Sequence, residues 1–332
     1  MSPLLALIAI AATPPPMYEH TAEIMTTRLV VKIALASEAE RPRAEAAVAA
    51  AKEELLRLDA LLSEWKPDSP LGRLNEAPTK RVRLPKEALE LLQRTLQWSA
   101  RTGGAFDPTF ASLWGLWRFS AEDAARIPTP KEAKARAALI DYTKVIIEGD
   151  EVHLGAPGMK LGLGGIAKGY AVDRVVALLR ERGFANFFIK LGGELYLAGT
   201  RSDRPWVAGV QDPRDARASF AVLALKDSAF TTSGDYERYL IKDGVRYHHI
   251  IDPSTGYPAR GARSVTIVAQ RAEDADALST SVFVMGPDKG MALVESLPGV
   301  EAIMVTGDGR VLLSSGLEGK VQLRPLAPHS GP

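Results

Sequence analysis

The sequence predicts a single α+β domain, and three patterns lead to that expectation. Short apolar runs bounded by glycine or turn residues, such as Leu29–Ala36 and Phe187–Leu191, predict strands. Longer runs with apolar residues at helical spacing, such as Arg43–Leu62 and Pro85–Arg101, predict helices. The 332 residues contain no internal repeat and no long linker, so strands and helices are expected to share one core.

The remaining elements follow the same patterns along the chain. Further strands are expected at Trp206–Val210, Ala218–Leu225, Arg246–Ile251 and Ser264–Ala269. Further helices are expected at Ala121–Leu139, Ala272–Met285 and Pro287–Leu297. Hairpins are expected over Tyr142–Leu154 and around Gly307–Gly309.

The composition is that of an ordinary globular protein. Hydrophobic residues make up 46% of the chain, so a substantial core is expected, and the formal net charge of +1 argues against nucleic acid as the main partner. The chain has no cysteine, which excludes disulfides, thiolate metal sites and cysteine nucleophiles. Its five histidines argue against a multi-histidine metal site.

The amino-terminal residues 1–24 contain an apolar run, Leu4–Ala12, that is too short to span a bilayer and has the length of a signal-peptide core. Small residues at Ala9–Ala12 suit cleavage, although no Lys or Arg precedes the run. We expect an exported, periplasmic protein with its domain over residues 25–325 and a tail over 326–332. The alternative is a cytoplasmic protein with a disordered apolar tail.

The stretch Leu161–Gly193 predicts a strand at Met159–Leu163, a glycine turn, a helix that ends at Gly183, and a second strand. Backbone N–H groups and Lys168 at the start of the helix suit a phosphate. Close helix packing, with Lys168 solvated, explains the glycines equally well. The match to the dinucleotide-binding fingerprint lacks the later acidic residue, so a nicotinamide oxidoreductase is disfavoured.

Two other segments carry candidate chemistry. Asp276 and Thr280 lie four positions apart on one helix face and offer oxygen ligands for Mg²⁺, although solvation and a backbone hydrogen bond explain them as well. His248 and His249 are adjacent in a predicted strand, so at most one of them is expected to enter a given site.

Together these segments resemble the flavin transferases of the ApbE type, which move FMN from FAD onto a hydroxyl of a target protein. The resemblance covers nearly all of Met25–Leu323 and implies a single T-fold-like domain with mixed sheets flanked by helices. The matching blocks, in the family's order, are Met25–Thr27, Ser63–Asn75, Gly103–Pro108, Gly164–Ala171 with Asp173, Gly192-Gly193, Thr232–Tyr236, His249–Pro253 with Thr255-Gly256, and Ala275–Leu278 with Thr280.

The resemblance implies a role for each matching residue. It assigns Mg²⁺ to the Asp276 carboxylate, the Thr280 hydroxyl and the Gly165 carbonyl, the pyrophosphate to Lys168, and the transfer step to His249. The flavin substrate would be held by Met25, Trp65, Ala105, Phe106 and Asp107. Two positions depart from the family, which usually has Gly at Thr26 and Asp at Gly162. We expect Thr26 to crowd the approach of the adenine or ribose, and Gly162 to lack one polar contact to FAD.

The expected reaction is attack by a Thr or Ser hydroxyl of a partner protein on the FMN-side phosphorus of FAD, with AMP leaving. His249 is the first candidate for accepting the hydroxyl proton, because its ordinary pKa lies near neutrality, and Asp235 and Asp252 follow. The alternatives are an FAD pyrophosphatase that yields FMN and AMP, and a non-catalytic FAD-binding protein.

The resemblance also implies a class of acceptor. This is a short Thr- or Ser-containing motif on subunits of redox complexes, such as sodium-pumping or electron-transferring quinone and ferredoxin oxidoreductases. Any membrane association would be peripheral and would pass through the acceptor.

Overall fold

A computed structural model describes residues 16–119, 126–201 and 204–327. The α-helices are α1 (Arg41–Leu62), α2 (Pro70–Glu76), α3 (Lys86–Arg101), α4 (Pro130–Ala137), α5 (Ala167–Glu181) and α6 (Ala272–Glu295). The strands are β1 (Met17–Ile24), β2 (Thr27–Ala34), β3 (Val82–Arg83), β4 (Val145–Glu148), β5 (Glu151–Leu154), β6 (Phe187–Leu191), β7 (Glu194–Ala198), β8 (Thr200–Arg201), β9 (Arg204–Asp212), β10 (Asp215–Leu225), β11 (Ser228–Gly234), β12 (Tyr239–Lys242), β13 (Val245–His248), β14 (Ala262–Ala269), β15 (Glu301–Thr306), β16 (Val311–Leu313) and β17 (Val321–Leu323). Within these ranges, no helix combines the length and apolar character needed to cross a bilayer.

The core lies on both faces of an eight-stranded sheet with the order β1-β2-β6-β7-β11-β14-β15-β16. Helices α1, α5 and α6 cover one face, and a four-stranded sheet of order β17-β10-β9-β8 covers the other. The interior strand β14 is therefore buried along almost its whole length, and its sequence, ARSVTIVA, places apolar residues on both faces. The expected α+β domain is confirmed, although the strands of each described sheet pair antiparallel and are not mixed in direction.

The strand expected at Met159–Leu163 is absent from the described structure, so that prediction was wrong. The segment is extended, but the Asn75 side chain bonds to both backbone groups of Leu161, at 2.7 Å to its N–H and 2.8 Å to its C=O. The Gly162 N–H donates to the Pro108 carbonyl at 2.8 Å. A side chain and a loop therefore take the place of a neighbouring strand, and β6 instead pairs antiparallel with β2 and β7.

Two predicted helices differ from the structure in their bounds. Helix α6 runs through both expected helices, but Gly286 (φ 76°) interrupts it just before Pro287, where the sequence placed the break. Of the helix expected at Ala121–Leu139, the structure has α4, whose start is fixed by a capping box between Thr129 and Glu132. Residues 120–125 lie outside the described part of the chain.

Strand β1 extends the main sheet into the segment that the sequence placed before the domain, while residues 1–15 lie outside the described structure. Its register with β2 pairs Ile24 with Thr27, so Met25 and Thr26 form a two-residue turn with φ angles of 50° and 58°. Such a turn favours glycine because both residues are left-handed. The usual glycine at position 26 therefore has a backbone explanation, independent of any crowding of FAD.

Helices α5 and α6 pack closely enough to cap each other. The Asp173 carboxylate of α5 accepts the N–H groups of Ala272 (2.8 Å) and Glu273 (3.0 Å) at the start of α6. The Asp276 carboxylate of α6 accepts the Gly169 N–H at 2.9 Å, near the start of α5, where no side-chain cap is present at Ile166. Each helix therefore supplies an anion to the positive end of the other.

Only glycine fits this contact at position 169. A Cβ there would lie 2.2 Å from the Ala272 carbonyl oxygen and 2.8 Å from Asp276 Cβ. We expect Gly169→Ala to lower the free energy of unfolding by about 1–3 kcal/mol, because the two helices must move apart. Urea denaturation measures this change.

Gly307→Ala is the matched control, because its Cβ would meet only ordinary contacts at 3.7 Å or more and its φ is not left-handed. Equal stability of the two variants would contradict the close approach of α5 and α6.

Candidate active site

The predicted site residues gather at one end of the main sheet. Strand β6 ends and β7 begins at Gly192-Gly193, β11 ends at Gly234, and the β1–β2 turn lies beside them because Leu29 pairs with Leu191. The first turn of α5 lies at this end, where Lys168 pairs with Glu194, and α6 approaches it through Ser279 and Thr280, which lie beside Ser233. Met25 is half-buried against the core at the same place.

Lys168, in the first turn of α5, lies among carboxylates. Its ammonium forms an ion pair with Glu194 Oε1, and Glu194 is almost completely buried. Burial alone would lower the pKa of Lys168, but the charges of Glu194 and Asp276 outweigh it and raise the pKa above its ordinary value. Lys168 therefore stays positively charged at any physiological pH and can attract a phosphate.

Asp276 and Thr280 belong to a cluster of oxygen atoms on α6. Asp276 is 4% exposed, and burial raises the pKa of its carboxyl above the ordinary value. The Ser233 hydroxyl on β11 lies 2.8 Å from the Ser279 hydroxyl and 3.4 Å from that of Thr280. In the described ranges, no group of three or more His, Asp or Glu residues could hold a metal ion, so a cation here would rely on hydroxyl, carbonyl and substrate oxygens.

The turn before α5 brings Gly165 against the aromatic ring of Phe106. A Cβ at position 165 would lie 2.9 Å from Phe106 Cε2. Beside Phe106 and the half-buried Ala105, the Asp107 carboxylate accepts N–H groups from Thr109 (2.8 Å) and Tyr142 (2.9 Å). Asp107 therefore fixes this loop, and burial raises the pKa of its carboxyl.

A pair of stacked tryptophan rings lies next to Gly162. Trp65 is 69% exposed and stacks on Trp114 with ring centroids 4.1 Å apart. A Cβ at Gly162 would lie 3.1 Å from Trp114 Cζ2. The exposed face of Trp65 is a surface on which a planar ring can stack.

One of the two adjacent histidines is buried and the other is exposed, as the strand pattern predicted. His248 is buried, with Nε2 3.1 Å from the Ala259 carbonyl oxygen and its ring edge-on to Phe283, and burial lowers its pKa to about 4. The His249 side chain is exposed, and Nδ1 lies 3.3 Å from the Arg238 carbonyl oxygen. Partial loss of hydration, then His248, Arg238 and Lys168, lower the pKa of His249. Only His249 is both accessible and within the electrostatic influence of Lys168.

Asp235, a catalytic candidate, is held by Arg214. The guanidinium of Arg214 bonds to both carboxylate oxygens, at 2.8 Å and 3.0 Å, and Asp235 is 6% exposed. Both carboxylate oxygens of Asp235 are therefore already engaged by Arg214 and are not free to face a substrate hydroxyl. Asp252 is similarly engaged, because its Oδ1 accepts from the N–H and the hydroxyl of Ser254 at 2.8 Å and 2.7 Å.

Sequence reasoning missed Glu194 and Arg214. Glu194 directly follows Gly192-Gly193 at the start of an apolar strand, and an acidic residue in that position signals a buried partner. Glu194 Oε2 and the Thr231 hydroxyl are buried without a hydrogen-bond partner among the described residues, and the two residues pair across β7 and β11. These atoms add unsatisfied polar groups to the site.

Residues 25–304 match the sequence profile described as the ApbE family. Among curated proteins, the chain is 37% identical over 308 residues to an FAD:protein FMN transferase of Treponema pallidum (strain Nichols), covering 86% of this chain and 84% of that protein. It is 35% identical over 255 residues to an FAD:protein FMN transferase of Vibrio cholerae, covering 75% and 76%.

Solved structures give the same relationship. The ApbE protein of Thermotoga maritima superposes with a TM-score of 0.82 at 35% identity, covering 92% of this chain and 99% of that one. The flavin transferase ApbE of Vibrio cholerae superposes with a TM-score of 0.80 at 30% identity, covering 92% and 100%.

The ion pair between Lys168 and Glu194 gives a prediction about stability. We expect Lys168→Met to lower the free energy of unfolding by about 2–4 kcal/mol at neutral pH, because Glu194 stays buried without its counter-charge. Urea denaturation at neutral pH measures this loss.

The double variant Lys168→Met/Glu194→Gln should recover part of the loss, because the buried charge is removed with its partner. The matched control is Lys190→Met, a lysine on the exposed face of β6. If the double variant lost as much stability as the single variants Lys168→Met and Glu194→Gln together, the coupling of the two residues would be contradicted.

Proposed function

The chain belongs to the ApbE family, and on that premise we propose that it transfers FMN from FAD to a Thr or Ser hydroxyl of another protein and releases AMP. The observation that supports this most is the junction of α5 and α6 at the glycine turn. There the positively charged Lys168 of α5 lies near the buried Asp276 carboxylate of α6 and its neighbouring hydroxyls, and the glycine turn before α5 contacts the Trp65–Trp114 stack.

In the proposed step, the hydroxyl oxygen of the acceptor attacks the phosphorus on the FMN side of the FAD pyrophosphate. A new oxygen–phosphorus bond forms, and the bond from that phosphorus to the bridging oxygen breaks. The bridging oxygen leaves with AMP, and the hydroxyl proton passes to a base. Such reactions depend on positioning and on neutralising negative charge, which Lys168 supplies.

Mg²⁺ fits the donor atoms at this junction. We propose that Asp276, Thr280 and the Gly165 carbonyl hold it, because an oxygen-only donor set with one carboxylate is the kind that Mg²⁺ completes with substrate phosphates. When bound, the ion would neutralise charge on the pyrophosphate. The hydrogen bond from Gly169 uses Oδ2 of Asp276, so Oδ1 is the oxygen expected to face the ion.

His249 is the base that the geometry favours. A carbonyl oxygen only accepts hydrogen bonds, so the contact with the Arg238 carbonyl requires the proton to be on Nδ1 and leaves Nε2 as the acceptor. The lowered pKa keeps the ring neutral throughout the neutral pH range. Asp235 is less suited because Arg214 holds both of its oxygens.

Water in place of the acceptor hydroxyl would give FAD hydrolysis to FMN and AMP in the same site. His249 lies exposed at the surface, where either nucleophile can approach it. The acceptor chemistry that we propose is a Thr- or Ser-containing motif on a redox-complex subunit. We also propose export of the chain, for which the apolar run Leu4–Ala12 gives support; an amino terminus beyond Ala12 in the mature protein would agree with it.

The direct test is to incubate the protein with FAD and Mg²⁺, with and without a peptide that carries a flavinylation motif. We expect the peptide to gain the mass of FMN, AMP to be released, and EDTA to stop both. Intact FAD bound under all conditions would instead favour a storage protein, and AMP without an adduct would favour hydrolysis.

Asp276→Asn tests the metal assignment while keeping an oxygen that can accept the Gly169 N–H. We expect turnover to fall by about 100-fold or more and Mg²⁺-dependent thermal stabilisation to disappear, because the ligand charge is lost. Asp274→Asn is the control, since Asp274 lies on the same helix turn but bonds to Trp98 Nε1 at 3.2 Å. An Asp276→Asn protein with unchanged Mg²⁺ dependence would refute the assignment.

His249→Gln should slow transfer by about 100-fold to 10,000-fold while changing FAD affinity little, because the change removes a proton acceptor and not a binding contact. The rate ratio of the original protein to the variant should stay constant from pH 8 to pH 6, because the lowered pKa keeps His249 neutral. The ratio should fall at lower pH as the ring becomes protonated.

His153→Gln, on β5 outside the site, is the control for loss of a histidine. An equal loss of FAD affinity and rate in His249→Gln would show that the histidine acts only in binding.

A further inference from the structure

We propose that Glu64 accepts a hydrogen bond from a ring N–H or amino group of bound FAD at the edge of the Trp65–Trp114 stack. The identity of the ligand rests on the proposed function. The choice of Glu64 as the acceptor rests on its contacts with the glycine turn.

Glu64 follows the end of α1 and reaches across to the glycine turn. Its Oε1 lies 3.3 Å from the position that a Cβ would occupy at Gly162, and 3.3 Å from that position at Gly164. Its carboxyl accepts hydrogen bonds from the backbone of Leu163 and from its own backbone N–H. The carboxyl group therefore lies directly over the backbone of the turn that leads into α5.

The surroundings of Glu64 are unusual for a carboxylate. Burial raises the pKa of this carboxyl, the two backbone hydrogen bonds only partly offset that effect, and no ion pair in the described ranges involves Glu64. A half-buried carboxyl without a positive partner costs free energy unless it gains further hydrogen-bond donors. The Cβ position at Gly164 has no neighbour within 4 Å other than Glu64 Oε1, so a ligand can approach this oxygen from the side of Gly164 and supply such a donor.

The neighbouring aromatic rings indicate which kind of donor fits. The same Cβ position at Gly162 that approaches Glu64 lies 3.1 Å from Trp114 Cζ2, and the exposed Trp65 ring stacks on Trp114. An acceptor at the edge of an aromatic face recognises a planar ring that carries an N–H group. FAD has two such groups, the imide N–H of the isoalloxazine ring and the amino group of adenine.

The arrangement also explains why glycine stands at position 162. An Asp there would begin 3.1 Å from Trp114 and 3.3 Å from Glu64 Oε1, which would place two carboxylates side by side. The chain therefore takes its acceptor from residue 64, on the neighbouring segment, and the polar contact expected to be missing at Gly162 is supplied by Glu64.

The test measures FAD affinity by flavin fluorescence in Mg²⁺-free buffer. We expect Glu64→Ala to weaken binding by about tenfold to 100-fold. Glu53→Ala, an exposed glutamate on α1, is the matched control.

Glu64→Gln is a second variant that keeps the test valid if Glu64→Ala does not fold. It keeps the shape and one acceptor oxygen for Leu163 but turns a donor toward the ligand, so weaker FAD binding at an unchanged melting temperature is expected. Parallel titrations with riboflavin and with AMP locate the contact, because the loss should appear with only one of them.

Unchanged FAD affinity in Glu64→Ala and Glu64→Gln would overturn the proposal and leave Glu64 with a structural role only. If the original protein bound no FAD, the proposed function would fail instead.

Discussion

The reciprocal capping of α5 and α6 is the contact on which the site depends. Asp173 and Asp276 each place a carboxylate on the first turn of the other helix, and Gly169 permits the approach. The same contact that joins two core helices also brings Asp276 beside Lys168. The same contact therefore stabilises the fold and positions the site residues. A change that separates the two helices would also move these residues apart.

Charge balance explains how this geometry is tolerated inside the protein. Lys168 interacts with both Glu194 and Asp276, so its positive charge reduces the cost of burying these two carboxylates. Arg214 likewise offsets the negative charge of the buried Asp235, which follows the end of β11. The site is therefore arranged before a substrate arrives, and binding of FAD need not be accompanied by rearrangement of these side chains.

Sequence reasoning was most successful where structure follows local periodicity. The helical pattern of Pro85–Arg101 and the turn at Gly307–Gly309 needed no distant information. The segment Met159–Leu163 misled it, because Asn75 supplies hydrogen bonds from a distant part of the chain. The pairs Lys168–Glu194 and Arg214–Asp235 were missed for the same reason, since tertiary packing brings together a helix and a strand in the first pair and segments of two different sheets in the second. The sequence segments that resemble the family include Lys168, but none of them includes its partner Glu194.

The turn at Met25 and Thr26 has a consequence for folding. Two left-handed non-glycine residues make a weak nucleus for a hairpin, so local contacts do little to join β1 to β2. Strand β2 must also pair with β6, which lies far along the chain. We infer that this edge of the sheet orders late in folding, after the long-range pairing is complete. Met25 would then be among the last residues of the candidate site to be positioned, and a newly synthesised chain would complete this edge of the sheet only when the rest of the domain is assembled.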